Sequence, residues 1–270
     1  MTRPFRFGLV APIMTDLPTW RDRVRRIADL GYSTLLMPDV PGMQPSPGPT
    51  LATAAAIADI RVGSWVYAAA LRQPWSTAWE AHSLTTLTEG RFELGIGLGR
   101  TGIETEQGLP KVPGAERLAR VRETVTALRE IEEPDRHTPV IMAVRGPRSL
   151  ALAAELADSA TFVLNASDER ARITHAVREF AASVDASGRI MELSQHVGMV
   201  GDVPAPFMGP PGIDPEALRA MDSLFSLPDD PAAVIDELLR RREEIGFSYF
   251  VFGAGFAERF APVVARLSGA

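Results

Sequence analysis

Residues 89–102, EGRFELGIGLGRTG, decide how this chain folds. Gly90 ends a helical run, and Phe92, Leu94, Ile96 and Leu98 then alternate with Glu93, Gly95, Gly97 and Gly99. One face of a strand is therefore bulky and the other nearly bare. Glycine inside a strand marks a close approach by another backbone or by a flat ligand, or a bend at a barrel corner. We read the stretch as the rim of a cofactor site; a close-packed barrel strand without a ligand is the alternative. Gly97, Gly99 and Gly102 also spell G-x-G-x-x-G, but that fingerprint requires its last glycine to open a helix that packs back on the strand. Here Ile103 to Gly114, with Gly108, Pro110 and Pro113, reads as a loop, which argues against a dinucleotide fold.

Outward from this strand the same unit recurs. Phe5–Ala11 is a first strand stopped by Pro12, and Trp20, Val24, Ile27 and Ala28 repeat at helical spacing up to Gly31. Thr34–Met37 is a short buried strand, residues 51–60 an alanine-rich helix, Val62–Ala70 a strand, and Pro74–Leu87 a helix with proline at its start. Beyond the glycine-rich strand, Leu118, Val121, Val125 and Leu128 stripe a helix. Val140–Val144 and Thr161–Leu164 read as strands around a helix at Pro147–Ala157. Ile173, Val177, Phe180 and Val184 line the next helix, and His196–Val200 reads as the seventh strand. Gly201–Leu227, rich in proline and glycine, breaks the rhythm, with a short helix expected at Ala217–Leu224. Asp229 or Asp230 then caps a helix with Pro231 in its first turn and Gly246 at its end; Ser248–Phe252 is strand eight, and Phe260, Val263, Val264 and Leu267 mark the last helix. Eight strands alternating with helices in 270 residues predict an α/β chain folded as one single-domain (β/α)8 TIM barrel spanning 1–270, with an open doubly wound sheet as the fallback.

Composition narrows the function. With 46% apolar and 23% charged residues the chain is an ordinary globular one, and a net charge of −6 argues against nucleic-acid binding, which needs a basic surface. The absence of cysteine removes disulfides, thiolate nucleophiles and cysteine-based metal sites. No apolar run is long enough to cross a bilayer and MTRPFRFGLVAP holds no signal-peptide core, so a cytoplasmic protein without a membrane partner is expected. There is no G-x-S-x-G, and His82, His137, His175 and His196 lack metal-ligand spacing, so no metal is expected.

In a barrel, function collects on the loops that follow the strands. Arg145, Gly146 and Arg148 sit where a strand turns into a helix, so free N–H groups, the positive helix end and two cations converge there and phosphate binding is expected. A capped turn with two solvated arginines is the plain alternative. Asp39 either accepts a hydrogen bond from a bound ring or merely terminates its strand, and Arg100 and Glu104 are candidates to touch substrate. A barrel without ionisable clusters suits an enzyme whose cofactor performs the chemistry, so no catalytic acid or base is assigned.

GRFELGIGLG, VIMAVRGPRSLALAAELAD and DDPAAVIDELLRRREEIGFSYFVFGAGFAERFAPVVARLSG together resemble the luciferase-like monooxygenase superfamily, in particular its coenzyme F420-dependent (deazaflavin) branch. IADLGYSTLLMPDV and the run VGSWVYAAALRQPWSTAWEAHSLTTLTEGRFELGIG resemble the second to fourth units of the same family, and only Gly201–Leu227 falls outside the likeness. The resemblance implies a tricyclic ring held at the strand ends by Asp39 and by a strand-three bulge at Trp65, Val66, Tyr67 and Ala68, often with a non-proline cis peptide; Gly97 and Gly99 join these as cofactor-binding candidates from the bare strand face itself. It places the cofactor phosphate at Arg145, Gly146 and Arg148. It further implies hydride transfer between coenzyme F420 and a small-molecule substrate, with FMN as the alternative cofactor, and pairing as a homodimer. The chain departs from the pattern in three places: Val40 stands where many relatives have histidine, only EEPDRH separates Ile131 from Thr138 where relatives carry a hairpin, and Arg145 precedes Gly146 where glycine is common. These departures leave open a degenerate barrel that binds cofactor without turnover.

Overall fold

The computed structural model describes residues 3–206, 208–209 and 212–270. Its elements run β1 (Arg6–Val10), α1 (Leu17–Asp29), β2 (Thr34–Met37), α2 (Pro47–Ile57), β3 (Arg61–Ser64), β4 (Tyr67–Ala68), α3 (Pro74–Leu87), β5 (Phe92–Gly97), α4 (Ile103–Glu106) and α5 (Gly114–Ile131). The second half continues with β6 (Val140–Val144), α6 (Pro147–Leu156), β7 (Ser159–Phe162), α7 (Arg170–Ala186), β8 (Glu192–His196), β9 (Met199–Val200), β10 (Val203–Pro204), α8 (Pro215–Ala220), β11 (Ser226–Leu227), α9 (Pro231–Ile245), β12 (Phe247–Gly253) and α10 (Ala257–Leu267).

Parallel pairing runs β1–β2–β3–β5–β6–β7–β8–β12 and returns from β12 to β1, so the sheet closes. β3 and β4 are two halves of one strand position, both paired to β5. The result is the closed eight-stranded parallel barrel with helices around it that the sequence predicts. Phe92, Leu94 and Ile96 join the core between the strands and the helix layer. On the other face of β5, Glu93 takes the Arg6 guanidinium at 3.0 Å and the Tyr249 hydroxyl at 2.8 Å. Arg6 and Tyr249 belong to strands that are not neighbours of β5, so these contacts cross the interior of the ring. Arg6 also forks onto Glu192 at 3.0 and 2.8 Å, closing the N-terminal end of the barrel with a buried ion network. Above it, Val10, Leu36, Ile141, Tyr249 and Val251 fill the interior.

Several boundaries differ from the sequence reading, each for a physical reason. The seventh barrel strand is Glu192–His196, not His196–Val200: Glu192 and Ser194 face a polar interior, so the strand lacks an apolar signature, while Met199–Val200 pairs with β10 and β11 in a separate three-stranded sheet. The strand expected at 161–164 begins at Ser159 and ends at Phe162, because the apolar Val163 and Leu164 lie past its end. Val62–Ala70 is broken into β3 and β4, with a cis peptide between Trp65 and Val66 at the bulge the resemblance implied. The helix expected at 51–60 starts a turn earlier at Pro47, and the one expected at 217–224 is Pro215–Ala220 behind an Asp214 cap. Residues 103–106, read as loop, form one helical turn before the chain opens again, too short to make the dinucleotide motif. The readings of Gly201–Leu227 and of the MTRPFRFGLVAP start include positions 207, 210, 211, 1 and 2, which lie outside the described residues.

The Gly201–Leu227 excursion is tied down by Arg241, which α9 presents on its buried stripe with Val234, Leu238 and Ile245. Its guanidinium donates to the carbonyls of Leu224 at 2.8 Å and Ser226 at 2.6 Å and pairs with Glu237. Complete burial brings its pKa down to about 10 despite the Glu237 charge. From this excursion Met208 packs onto the interior cluster.

Candidate functional site

A cleft of about 710 Å³ opens at the C-terminal ends of the barrel strands. Its walls come from Pro38–Val40 after β2, from Trp65, Val66 and Ala68 of the broken strand, and from Gly97–Arg100 and Ile103 after β5. The remaining wall is Ala143–Ser149, running from β6 into α6, with Val163 after β7. Val66, Leu98, Ile103 and Ala143 make part of the lining apolar, and the start of α6 makes another part. The two glycines that shape the β5 wall do so for different reasons. A Cβ on Gly95 would lie 1.9 Å from the Ser64 carbonyl oxygen, so here it is the neighbouring backbone that needs the bare face. Gly99 takes φ +82°, which turns the chain out of the strand along the cleft.

At the helix end, Gly146 is the N-cap of α6 with nothing within 4 Å of where a Cβ would stand. The first N–H groups of the helix have no intrahelical acceptors and its dipole is positive there. The arginines at this end differ. Arg145 is forked onto Asp168 at 3.0 and 3.0 Å and also donates to the Val163 carbonyl at 2.7 Å. Burial pushes the Asp168 pKa up, but the hydrogen bonds from Arg145 and the Asn165 N–H outweigh it and the net shift is downward. Arg100 pairs with Glu106. Arg148 has no side-chain partner among the described residues, so it is the free cation of the cleft.

On the opposite wall, Asp39 is spoken for. Its Oδ2 accepts the Ala68 N–H at 3.0 Å and Arg72 Nε at 2.8 Å, and its Oδ1 accepts Arg72 Nη2 at 3.1 Å. Arg72 lies 3.6 Å over the Tyr67 ring and reaches Glu80 at 3.3 Å. Burial presses the Arg72 pKa down, but the bond to and charge of Asp39 more than offset this and the net shift is upward.

A model of the luciferase-like monooxygenase family matches residues 5–198. The chain belongs to that family. Its luciferase-like barrel superposes with a TM-score of 0.74 on the coenzyme F420-dependent tetrahydromethanopterin reductase of Methanopyrus kandleri, at 17% identity over 98% of each chain. An F420-dependent secondary alcohol dehydrogenase solved with an F420-acetone adduct follows at TM-score 0.72, 16% identity, and 98% and 99% coverage of the two chains. EDTA monooxygenase from Chelativorans sp. BNC1 gives 0.72 at 12% identity, covering 98% and 94%. At these identities the likeness shows the fold. No curated protein matches the sequence. As a luciferase-like protein the chain is an oxidoreductase.

The luciferase-like cleft gathers Asp39, Trp65, Val66, Ala68, Gly97, Gly99, Arg100, Arg145, Gly146 and Arg148 from four separate segments. Two expected residues are corrected. Tyr67 faces away from the cleft: its ring is buried and its hydroxyl bonds Glu80 of α3, and burial first, then the Glu80 charge, pushes its pKa up. Glu104 is buried and cannot touch a substrate; it accepts the Val112 N–H at 2.8 Å and pairs with Arg117, and hydrogen bonds from its own N–H and that of Val112 hold its pKa down. Arg72, Asp168 and Arg117 were missed. Arg117 donates to the carbonyls of Gly99 at 3.1 Å, Arg100 at 3.2 Å and Val112 at 3.0 Å, fastening the loop that forms the cleft's rim. A signal for Arg117 existed, since it stands four residues before Val121 on the buried stripe of α5. Among the described residues no His, Asp and Glu cluster could hold a metal, and no helix is long and apolar enough to cross a membrane.

Proposed function

We propose that the chain is a coenzyme F420-dependent oxidoreductase in which hydride passes between the deazaflavin ring and a small unsaturated or carbonyl substrate. The observation that carries this reading is the lining of the cleft: apolar Val66, Leu98, Ile103 and Ala143 together with one cation that has no side-chain partner among the described residues, Arg148, beside an uncapped helix start. An apolar lining takes the ring and excludes water, while Gly146 and Arg148 take a phosphate. The deazaflavin, when bound, supplies the two-electron chemistry. The protein's own groups bind and orient. Asp39 and Arg145 are already paired, so no wall residue is left as a free general acid or base, which suits direct hydride transfer.

Support for deazaflavin over flavin comes from the resemblance of the β6–α6 and C-terminal segments and from the two F420-dependent fold neighbours. FMN is the second reading: the anion end would take the phosphate of either cofactor, and a riboflavin lyase solved with modified FMN is also a fold neighbour. Titrating the purified protein with F420 and with FMN, followed by fluorescence, decides between them, and single-turnover oxidation of the reduced cofactor against a panel of carbonyl compounds tests turnover. We place the homodimer implied by the resemblance on the outer face of α3, where Trp75 and Trp79 are 62% and 57% exposed with ring centroids 5.4 Å apart. Trp79→Glu should then turn a dimer into a monomer in analytical ultracentrifugation, and a wild-type monomer at micromolar concentration would remove the assignment.

A further inference from the structure

We propose that Arg72 is a positioning residue of the cleft: it supplies the counter-charge and fixed orientation of Asp39, leaving one acceptor position on Asp39 for an N–H edge of a bound ring. The inference rests on the reading of the cleft as a ring site. A carboxylate has about four acceptor positions. On Asp39 both positions of Oδ2 are filled, by the Ala68 N–H and Arg72 Nε, and one of Oδ1 is filled by Arg72 Nη2. One position on Oδ1 remains, on a residue that lines the cleft with its side chain only 7% exposed.

Arg72 is itself held in place from behind. Its guanidinium stacks on Tyr67 of β4 and bonds Glu80 of α3, and the Tyr67 hydroxyl bonds the other oxygen of Glu80. The charges around Asp39 are otherwise spoken for or distant. Arg120 of α5 reaches the Ala69 and Ala70 carbonyls at 3.4 and 3.4 Å and pairs with Glu116; across the cleft Arg100 pairs with Glu106 and Arg145 with Asp168. Arg148 lies at the far, phosphate end. Arg72 is thus the cation bonded to Asp39, and its planar fork, unlike a lysine ammonium, fixes the carboxylate plane as well as its charge.

The test measures ring affinity at one pH for the wild type, R72Q, R72K, D39N, R72Q/D39N and R72K/D39N, using F420 and FMN as probes. R72Q should weaken the ring about tenfold, and R72K, which keeps the charge and loses only the fork, should recover part of that loss. Because Arg72 acts through Asp39, the R72Q loss should vanish in the D39N background. Unchanged affinity in R72Q, or a loss of the same size in the D39N background, overturns the proposal. If R72Q cannot be purified folded, R72K decides: a several-fold loss that disappears in R72K/D39N supports the proposal, and unchanged affinity or a loss that persists overturns it. A wild type that binds neither ring removes the reading of the cleft and this inference with it; binding with the wrong variant pattern removes the inference alone.

Discussion

Arg148 and His196 are fixed by their surroundings in opposite ways, one free at the cleft and the other enclosed. Arg148 lacks a side-chain partner among the described residues where the start of α6 faces the cleft, so its charge is available to a ligand. Arg148→Ala should weaken a phosphorylated ring cofactor about tenfold to hundredfold, the range for a charge-assisted hydrogen bond. The same substitution should leave the dephosphorylated ring's affinity unchanged in the same fluorescence titration. His196 ends β8 with its ring edge-on to Phe225, centroids 5.8 Å apart. Burial lowers its pKa from 6.5 to about 4, partly offset by a hydrogen bond to the Phe162 backbone. The sign follows from linkage: between these values the unfolded chain binds the proton and the native chain does not. The stabilising effect of a neutral His196 is therefore complete above pH 6.5 and lost as pH falls toward 4, on the order of 3 kcal/mol across the window. His196→Gln should flatten the melting temperature against pH between those limits; a melting profile as steep as the wild type's would contradict it.

The elements were legible in the sequence wherever one face met the helix layer, and illegible where the barrel's interior is polar. β5 was found because Phe92, Leu94 and Ile96 alternate with Glu93, Gly95 and Gly97; β8 was displaced because Glu192 enters an ion network with Arg6 that no local pattern announces, and Ser194 adds no apolar signal. The site followed the same rule. Loops were selectable from topology, and Gly146 with Arg148 from helix-start chemistry, but Arg145–Asp168, Asp39–Arg72 and Glu104–Arg117 are pairs separated by many residues, invisible to spacing. Glycine readings were mixed for a related reason: Gly97 lines the cleft, whereas Gly95 makes room for β3. Gly95→Ala should therefore destabilise the barrel by about 3 kcal/mol, lowering the melting temperature by roughly 10 °C, since the Ser64 carbonyl cannot yield without breaking the β3–β5 seam. A melting temperature within about 2 °C of the wild type would show that the seam relaxes.

Taken whole, the molecule separates stability from chemistry along the barrel axis. The Arg6, Glu93 and Glu192 network closes the N-terminal end, where a break costs folding, while the opposite end carries the cleft on loops that five strand positions deliver and that Arg72 and Arg117 fasten. Met208 of the Gly201–Leu227 excursion packs on the interior cluster, and the cleft lies on the β2–β7 side. A closed ring with a single ring-and-phosphate cleft is the claim on which the functional reading stands. Its most direct test is equilibrium titration of the purified protein with F420 and with FMN, read by fluorescence beside the Arg148→Ala variant. The account predicts saturable one-to-one binding of F420, tighter than FMN and weakened by the substitution. Failure of both rings to bind the wild type would contradict it.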